Sequence, residues 1–264
     1  MTQSTDEGPA RLDRRQVMQL TAAGAATAFL TSESLAQSFI QTPVKAIGFD
    51  AFVTFDPRPI FALAEQLFPG KGEEISNLWR IRQFEYAWLR TLCRRYVDFW
   101  KVTEDALIYA AASAKVELST EKRDRLMEGY LTMKAHPDVL PALQALRMAG
   151  IRLAFVSNMT ERMLDAAIRS SGLDGLFEQI LSTDRVRAYK PDPRAYQMAI
   201  DAFGLRREDI VFAAFGGWDA AGAKSFGYRT FWANRLRLPV EELDAMPDAI
   251  GDGMTDLLRF VGLS

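Results

Sequence analysis

The sequence predicts an α/β fold, a doubly wound, Rossmann-like parallel sheet interrupted by an inserted all-helical cap. Three observations carry this. Apolar runs of strand length recur along residues 44–232. Segments with a helical period separate most of them. A long stretch, residues 58–135, breaks the alternation with helical patterns and no strand-like run.

The first expected strand is Val44 to Phe49, a buried apolar run ending at Asp50. Arg152 to Val156 and Ile210 to Ala214 follow as further strands, with a shorter one at Thr230 to Trp232 and a weaker one in "EQILS", residues 178–182. Helices are expected over Glu161 to Ser170, Pro193 to Phe203 and Asp219 to Phe226. In the interruption, "EEISNLWRIRQFEYAWLRTLCRRYVDFW" contains no Gly or Pro and reads as one long helix. Its apolar residues cover more than one face, as a lid or a subunit interface requires, so a homodimer is one assembly it allows. Glu104 to Val116 and Thr120 to Met133 complete the cap. The expected organisation is therefore a core of residues 37–57 and 136–264 with a cap of residues 58–135.

Composition narrows the function. With Lys+Arg 32 against Asp+Glu 34, the chain has no nucleic-acid footprint. A single cysteine, Cys93, excludes an internal disulfide or a CxxC metal site. The one histidine, His136, precedes a proline in what reads as a surface connection, and a structural role is expected for it. Residues 1–36 read as an address: paired Arg14 and Arg15, a weakly apolar Ala/Gly-rich run from Leu20 to Leu30, then Ser34-Leu35-Ala36. This resembles a twin-arginine signal, which implies passage through the twin-arginine translocase, removal of the segment and a periplasmic location.

In a doubly wound sheet, ligands sit beyond the carboxyl ends of the strands. Asp50, then Ser157 and Asn158, then Gly216 to Asp219 follow three expected strands, so they converge on one rim. A carboxylate there is either a turn cap or, if aimed at an electrophile and shielded from water, a nucleophile. Lys190 opens "KPDPRAY", with Pro193 placed to start a helix. A lysine reaching the rim would pair with Asp50 and keep it ionised.

This set resembles the haloacid dehalogenase superfamily and, within it, the 2-haloacid dehalogenases, over residues 44–236. The resemblance implies Asp50 as nucleophile, Lys190 as its cation, Thr54 hydrogen-bonded near it, and Asp219 as the group that takes a proton from water. It implies Arg80, in "LWR", and Asn158 as halide donors, with Phe99 on the halide side. Ser157 would hold the substrate carboxylate, Tyr196 would orient the network, and Phe52 and Trp218 would face the substrate. The small halogenated carboxylate is then the partner, and neither metal nor other cofactor is required. Phosphatases of the superfamily carry a second Asp two residues after the nucleophile and further acids for magnesium; here the first place is Phe52. Halide leaves carbon without a proton, so it needs only oriented donors.

The match has departures. Relatives carry a serine and an asparagine where this chain has Ala214 and Gly216, and a glycine where it has Val53. The expected reaction is hydrolysis of an (S)-2-haloacid to the (R)-2-hydroxyacid. A magnesium-dependent phosphatase and a non-catalytic binder of small carboxylates are the competing expectations.

Overall fold

The computed structural model describes residues 43–263, so the segment read as a signal lies outside the described residues. The chain begins with strand β1 (Ala46–Phe49), then a single helical turn α1 (Ala51–Thr54) and the short strand β2 (Phe55–Asp56). Helices α2 (Arg58–Leu67), α3 (Gly72–Leu92), α4 (Phe99–Ser113) and α5 (Thr120–Glu128) follow. Strand β3 (Lys134–Ala135) pairs antiparallel with β2, so the helical segment leaves and rejoins the core through this two-stranded neck. The remainder alternates: α6 (Val139–Met148), β4 (Arg152–Ser157), α7 (Glu161–Ser171), β5 (Gln179–Ser182), α8 (Pro193–Phe203), β6 (Ile210–Ala214), α9 (Gly217–Phe226), β7 (Arg229–Ala233), β8 (Ala249–Gly251) and α10 (Met254–Phe260).

The main sheet is parallel, in the order β5-β4-β1-β6-β7-β8. Every residue of β1 and β6 is buried, as strands covered by helices on both faces must be, which is why they read as unbroken apolar runs. The first strand in sequence sits in the middle. From it, β4 and β5 build outward to one side and β6, β7 and β8 to the other. A crevice therefore opens beyond the carboxyl end of β1, and Asp50 is the residue that enters it.

The sequence reading of one long helix over residues 73–100 is corrected. Helix α3 ends at Leu92, the chain turns through Arg94 at φ 56°, and α4 starts after Asp98, whose side chain accepts from Lys101 N at 2.8 Å. No Gly or Pro marks the break; an Asp N-cap marks it instead. The two helices are pinned by Trp79 Nε1, which donates to Thr103 O at 2.7 Å, and by Gln83 Nε2, which donates to Thr103 Oγ1 at 2.7 Å. A single continuous helix could not make these contacts with itself. Strand β8 and the β2–β3 neck were not legible either, each being two or three residues long.

Helix α9 approaches α8 through Gly222. A methyl built there lies 2.6 Å from both Pro191 Cβ and the Tyr196 hydroxyl oxygen. Glycine is thus required for close approach, since its backbone is ordinary helix. Gly222→Ala is expected to destabilise the protein by about 1–3 kcal/mol, because a packed neighbour must shift. Denaturant unfolding of the variant against the parent measures it, and unchanged stability would refute the packing argument.

Candidate active site

Asp50 ends β1 and at the same time caps α1, its Oδ1 accepting from Phe52 N at 2.7 Å. Both readings of the residue, turn cap and rim carboxylate, are therefore realised together. Its own N–H donates to Ala213 O of β6 at 2.9 Å, which fixes the turn to the sheet. Lys190 Nζ donates to Asp50 Oδ2 at 2.6 Å and to Asp219 Oδ2 at 2.8 Å. Lys190 is wholly buried, with the Phe212 ring 5.1 Å from its ammonium. The Tyr196 hydroxyl donates to Asp219 Oδ1 at 2.7 Å. One ammonium thus bridges two carboxylates, each of which also accepts a second hydrogen bond.

The electrostatics follow from burial. Burial pushes the Asp219 carboxyl up to about 6, offset in part by Lys190 and reinforced by Asp50. Burial opposes the charge on Lys190, but the two carboxylates outweigh it and hold the ammonium above its usual range. Burial, then the neighbouring Asp219, keeps the Tyr196 phenol well above the ordinary value, so it stays a donor.

Asn158, just past β4, is linked to the same network: its Oδ1 accepts from Lys190 N at 3.0 Å. Its buried Nδ2 has no hydrogen-bond partner. An orphaned buried donor costs about 1–3 kcal/mol, so this amide is suited to an acceptor brought by a ligand. Ser157 Oγ, also buried, accepts from Met159 N at 3.1 Å and retains its own proton to donate.

The cap contributes Arg80. It is half-buried on α3 and, among the described residues, makes no ion pair or hydrogen bond. Arg80 and Phe84 line the same rim cavity of about 270 Å³, as their spacing on one helix face predicts. Phe84 also packs on Trp218 (ring centroids 5.1 Å), and Trp218 on Trp88 (5.3 Å), which closes the cap onto the first turn of α9.

Tyr196 is fully buried and donates to Asp219, the orienting role expected of it, and does not face a substrate space. Three residues sit differently from the sequence reading. Phe99 is fully buried against Tyr189, ring centroids 5.9 Å apart, within the packing under the cap. Thr54 Oγ1 is buried without a hydrogen-bond partner, so it makes no bond to Asp50; its carbonyl accepts from His136 N at 2.9 Å. His136 is buried and does not lie on a surface connection. Sequence reasoning also passed over Arg235, whose Nη2 donates to Asp138 Oδ1 at 2.9 Å and to Val53 O at 3.4 Å, bracing the turn that carries Asp50. Phe215, 5.8 Å from Phe52 between ring centroids, was missed as well. Neither has a local signal, because only the sheet brings the ends of β6 and β7 to the nucleophile turn.

Gly216, where relatives carry a polar side chain, is not an open space. A methyl built there would lie 2.8 Å from Trp218 Nε1, so the indole occupies the direction a side chain would take.

Residues 17–227 match the family model of haloacid dehalogenase-like hydrolases. Haloacetate dehalogenase H-2 of Moraxella sp. (strain B) is 42% identical over 206 residues, 78% of this chain and 92% of that protein. The crystal structure of an L-2-haloacid dehalogenase superposes with a TM-score of 0.82 at 45% identity, covering 83% of this chain and 99% of the other. The L-2-haloacid dehalogenase of Xanthobacter autotrophicus with chloropropionic acid covalently bound superposes with a TM-score of 0.78 at 30% identity, covering 84% and 100%. Sheet order, buried aspartate–lysine–aspartate centre and these likenesses agree: the chain belongs to the haloacid dehalogenase-like hydrolase family.

Proposed function

We propose that this protein is an (S)-2-haloacid dehalogenase that forms (R)-2-hydroxyacids through an ester on Asp50. The observation that carries the reading is the Lys190 ammonium, held between Asp50 and Asp219 at 2.6 and 2.8 Å. The same network holds Asn158, whose Nδ2 is unpartnered among the described residues, and the cap adds Arg80, which makes no ion pair or hydrogen bond among them. The likeness to a haloacetate dehalogenase and an L-2-haloacid dehalogenase supports the substrate class. A small haloalkanoate brings the two things the site lacks: an electrophilic carbon and a leaving anion.

In the first step an Asp50 oxygen forms a bond to C2 of the acid and the carbon–halogen pair leaves as halide. Asn158 Nδ2 and the Arg80 guanidinium are the donors proposed for it, and Ser157 Oγ–H for the substrate carboxylate. No proton moves in this step. In the second, water attacks the Asp50 carbonyl carbon while Asp219 takes one of its protons. The C2 alkoxide leaves with Asp50's former oxygen and takes the other proton of that water, which restores the Asp50 carboxylate. Asp219 then returns its proton to solvent. Tyr196 and Lys190 hold Asp219 for that role. Trp218 and Phe52 wall the centre from bulk water.

For residues 1–36 we propose a twin-arginine signal and a periplasmic enzyme, supported by Arg14, Arg15 and the Ala/Gly-rich run. The exposed Leu89 and Leu92 at the outer end of α3 support a homodimer through the cap.

The covalent route is tested by isotope. A single turnover with excess enzyme in H2(18)O is expected to label the Asp50 carboxylate and leave the first product unlabelled. Label in that first product would mean that water, not Asp50, attacks carbon.

The pH dependence is tested on the isolated second step. Asp219 must be ionised to accept the proton, and its carboxyl is pushed up to about 6. Ester hydrolysis is thus expected to level off above about pH 6 and to fall about tenfold per unit below it. Asp219→Asn is expected to remove this limb and let the Asp50 adduct accumulate, visible by intact mass. A limb that persists in Asp219→Asn would assign the proton to another group.

Export is tested by changing Arg14 and Arg15 together to Lys. The expected outcome is retention in the cytoplasm of a host with the translocase; undiminished periplasmic recovery would defeat the signal reading.

A further inference from the structure

Two consecutive main-chain N–H groups in the segment between β5 and α8 are spent on different parts of the molecule. Tyr189 N donates at 3.0 Å to Thr91 Oγ1, in the last turn of cap helix α3. Lys190 N donates at 3.0 Å to Asn158 Oδ1, in the core. A cap hydroxyl and the Asn158 amide are therefore linked through the main chain of Tyr189, directly beside Lys190.

Both ends of the link have a fixed sense. Thr91 Oγ1 gives its only proton to Ala87 O at 2.9 Å, so toward Tyr189 it is an acceptor. Lys190 N can only donate, so the oxygen of the buried Asn158 amide must face it. Both N–H donors of Asn158 Nδ2 are then on the other side, where they have no partner among the described residues. Turning the amide over would set N–H against N–H. The direction in which Asn158 donates is thus dictated by where Lys190 N stands.

The same stretch is seated on the cap by its side chains. The Tyr189 hydroxyl donates to Val97 O at 2.6 Å, its ring stacks on Tyr96 at 4.8 Å, and the Tyr96 hydroxyl donates to Asp184. Burial, above all, holds both phenols above the ordinary range, so both remain donors. Of these cap contacts, only that of Thr91 takes hold of the main chain at Tyr189. Arg80 stands on the same helix as Thr91. One cap helix therefore reaches both groups assigned to the halide, Arg80 directly and Asn158 through Tyr189.

We propose that Thr91 is a positioning residue for carbon–halogen cleavage: its hydroxyl fixes the main chain at Tyr189 and thereby aims the Asn158 amide. That the amide serves a leaving halide rests on the dehalogenase reading; the link from Thr91 to Asn158 does not.

The test uses the purified full chain. Thr91→Val keeps the shape and removes the acceptor, Thr91→Ala removes it without a β-branch, and Thr91→Ser keeps the hydroxyl. Single-turnover halide release from 2-chloropropionate is expected to fall about three- to tenfold in the Val and Ala variants, the worth of one hydrogen bond. Thr91→Ser is expected to restore most of it. With 2-bromopropionate the loss is expected to be smaller, because the larger anion spreads its charge and depends less on an oriented donor. A loss of folded enzyme would scale both halides alike.

The link itself is read by NMR. Asparagine occurs only at 77, 158 and 234, so selective 15N labelling gives three side-chain amide pairs, and Asn158→Ala identifies the one of interest. Thr91→Val is expected to shift or broaden the Asn158 pair and leave those of Asn77 and Asn234 in place, with Thr91→Ser restoring it. Equal losses for the two halides, or an Asn158 pair unmoved by Thr91→Val and Thr91→Ala, overturn the role. If the parent protein releases no halide, the dehalogenase reading falls, and the amide signals decide the link on their own.

Discussion

Everything near the end of β1 depends on one buried ammonium. Lys190 has no exposure, and two carboxylates contact it. A lone charge at that depth would cost several kcal/mol, and the carboxylates would repel each other without it. The compensation is mutual. It requires that residues 140 positions apart in the chain meet within hydrogen-bond distance, which a parallel sheet with its first strand in the middle achieves. Asp50 follows β1 and Asp219 lies in the first turn of α9 after the neighbouring β6, and the segment before α8 brings Lys190 to both.

The arrangement also explains how two carboxylates of one type perform different tasks. Asp50 accepts from a backbone N–H of its own turn, while Asp219 lies deeper, satisfied by a phenol and the shared ammonium. Burial raises Asp219 to about 6, which suits a group that must accept a proton near neutral pH. The nucleophile is oriented by backbone, and the base is tuned by depth. Ala214 and Gly216 leave this centre intact: the Gly216 carbonyl still accepts from Asp219 N at 3.1 Å, and Trp218 fills the direction a side chain at 216 would take.

The cap contributes by closure. Phe84 and Trp88 of α3 meet Trp218 across its junction with the core, and Arg80 of α3 makes no ion pair or hydrogen bond among the described residues. A cation at the cap–core boundary favours the approach of small anions to the rim.

Much of this was legible before any coordinates. Parallel strands buried on both faces must be apolar throughout, so β1, β4 and β6 announced themselves, and the helices between them carried a clear period. Asp50, Asn158 and Asp219 were legible because strand ends in such a sheet converge whatever the loops do, and Lys190 because Lys-Pro-Asp stands just before an expected helix. Where the α3–α4 break falls depended on Asp98 and a positive φ at Arg94, weak signals in a run without Gly or Pro. Tertiary structure alone decided that Tyr196 serves Asp219, that Phe99 belongs to packing, that His136 is buried and that Arg235 braces the nucleophile turn. Each of these depends on a neighbour brought from another part of the chain. Sequence determines period, chain order and which side chains stand at strand ends; partners across the rim are set by how the strands are ordered and how the cap is seated.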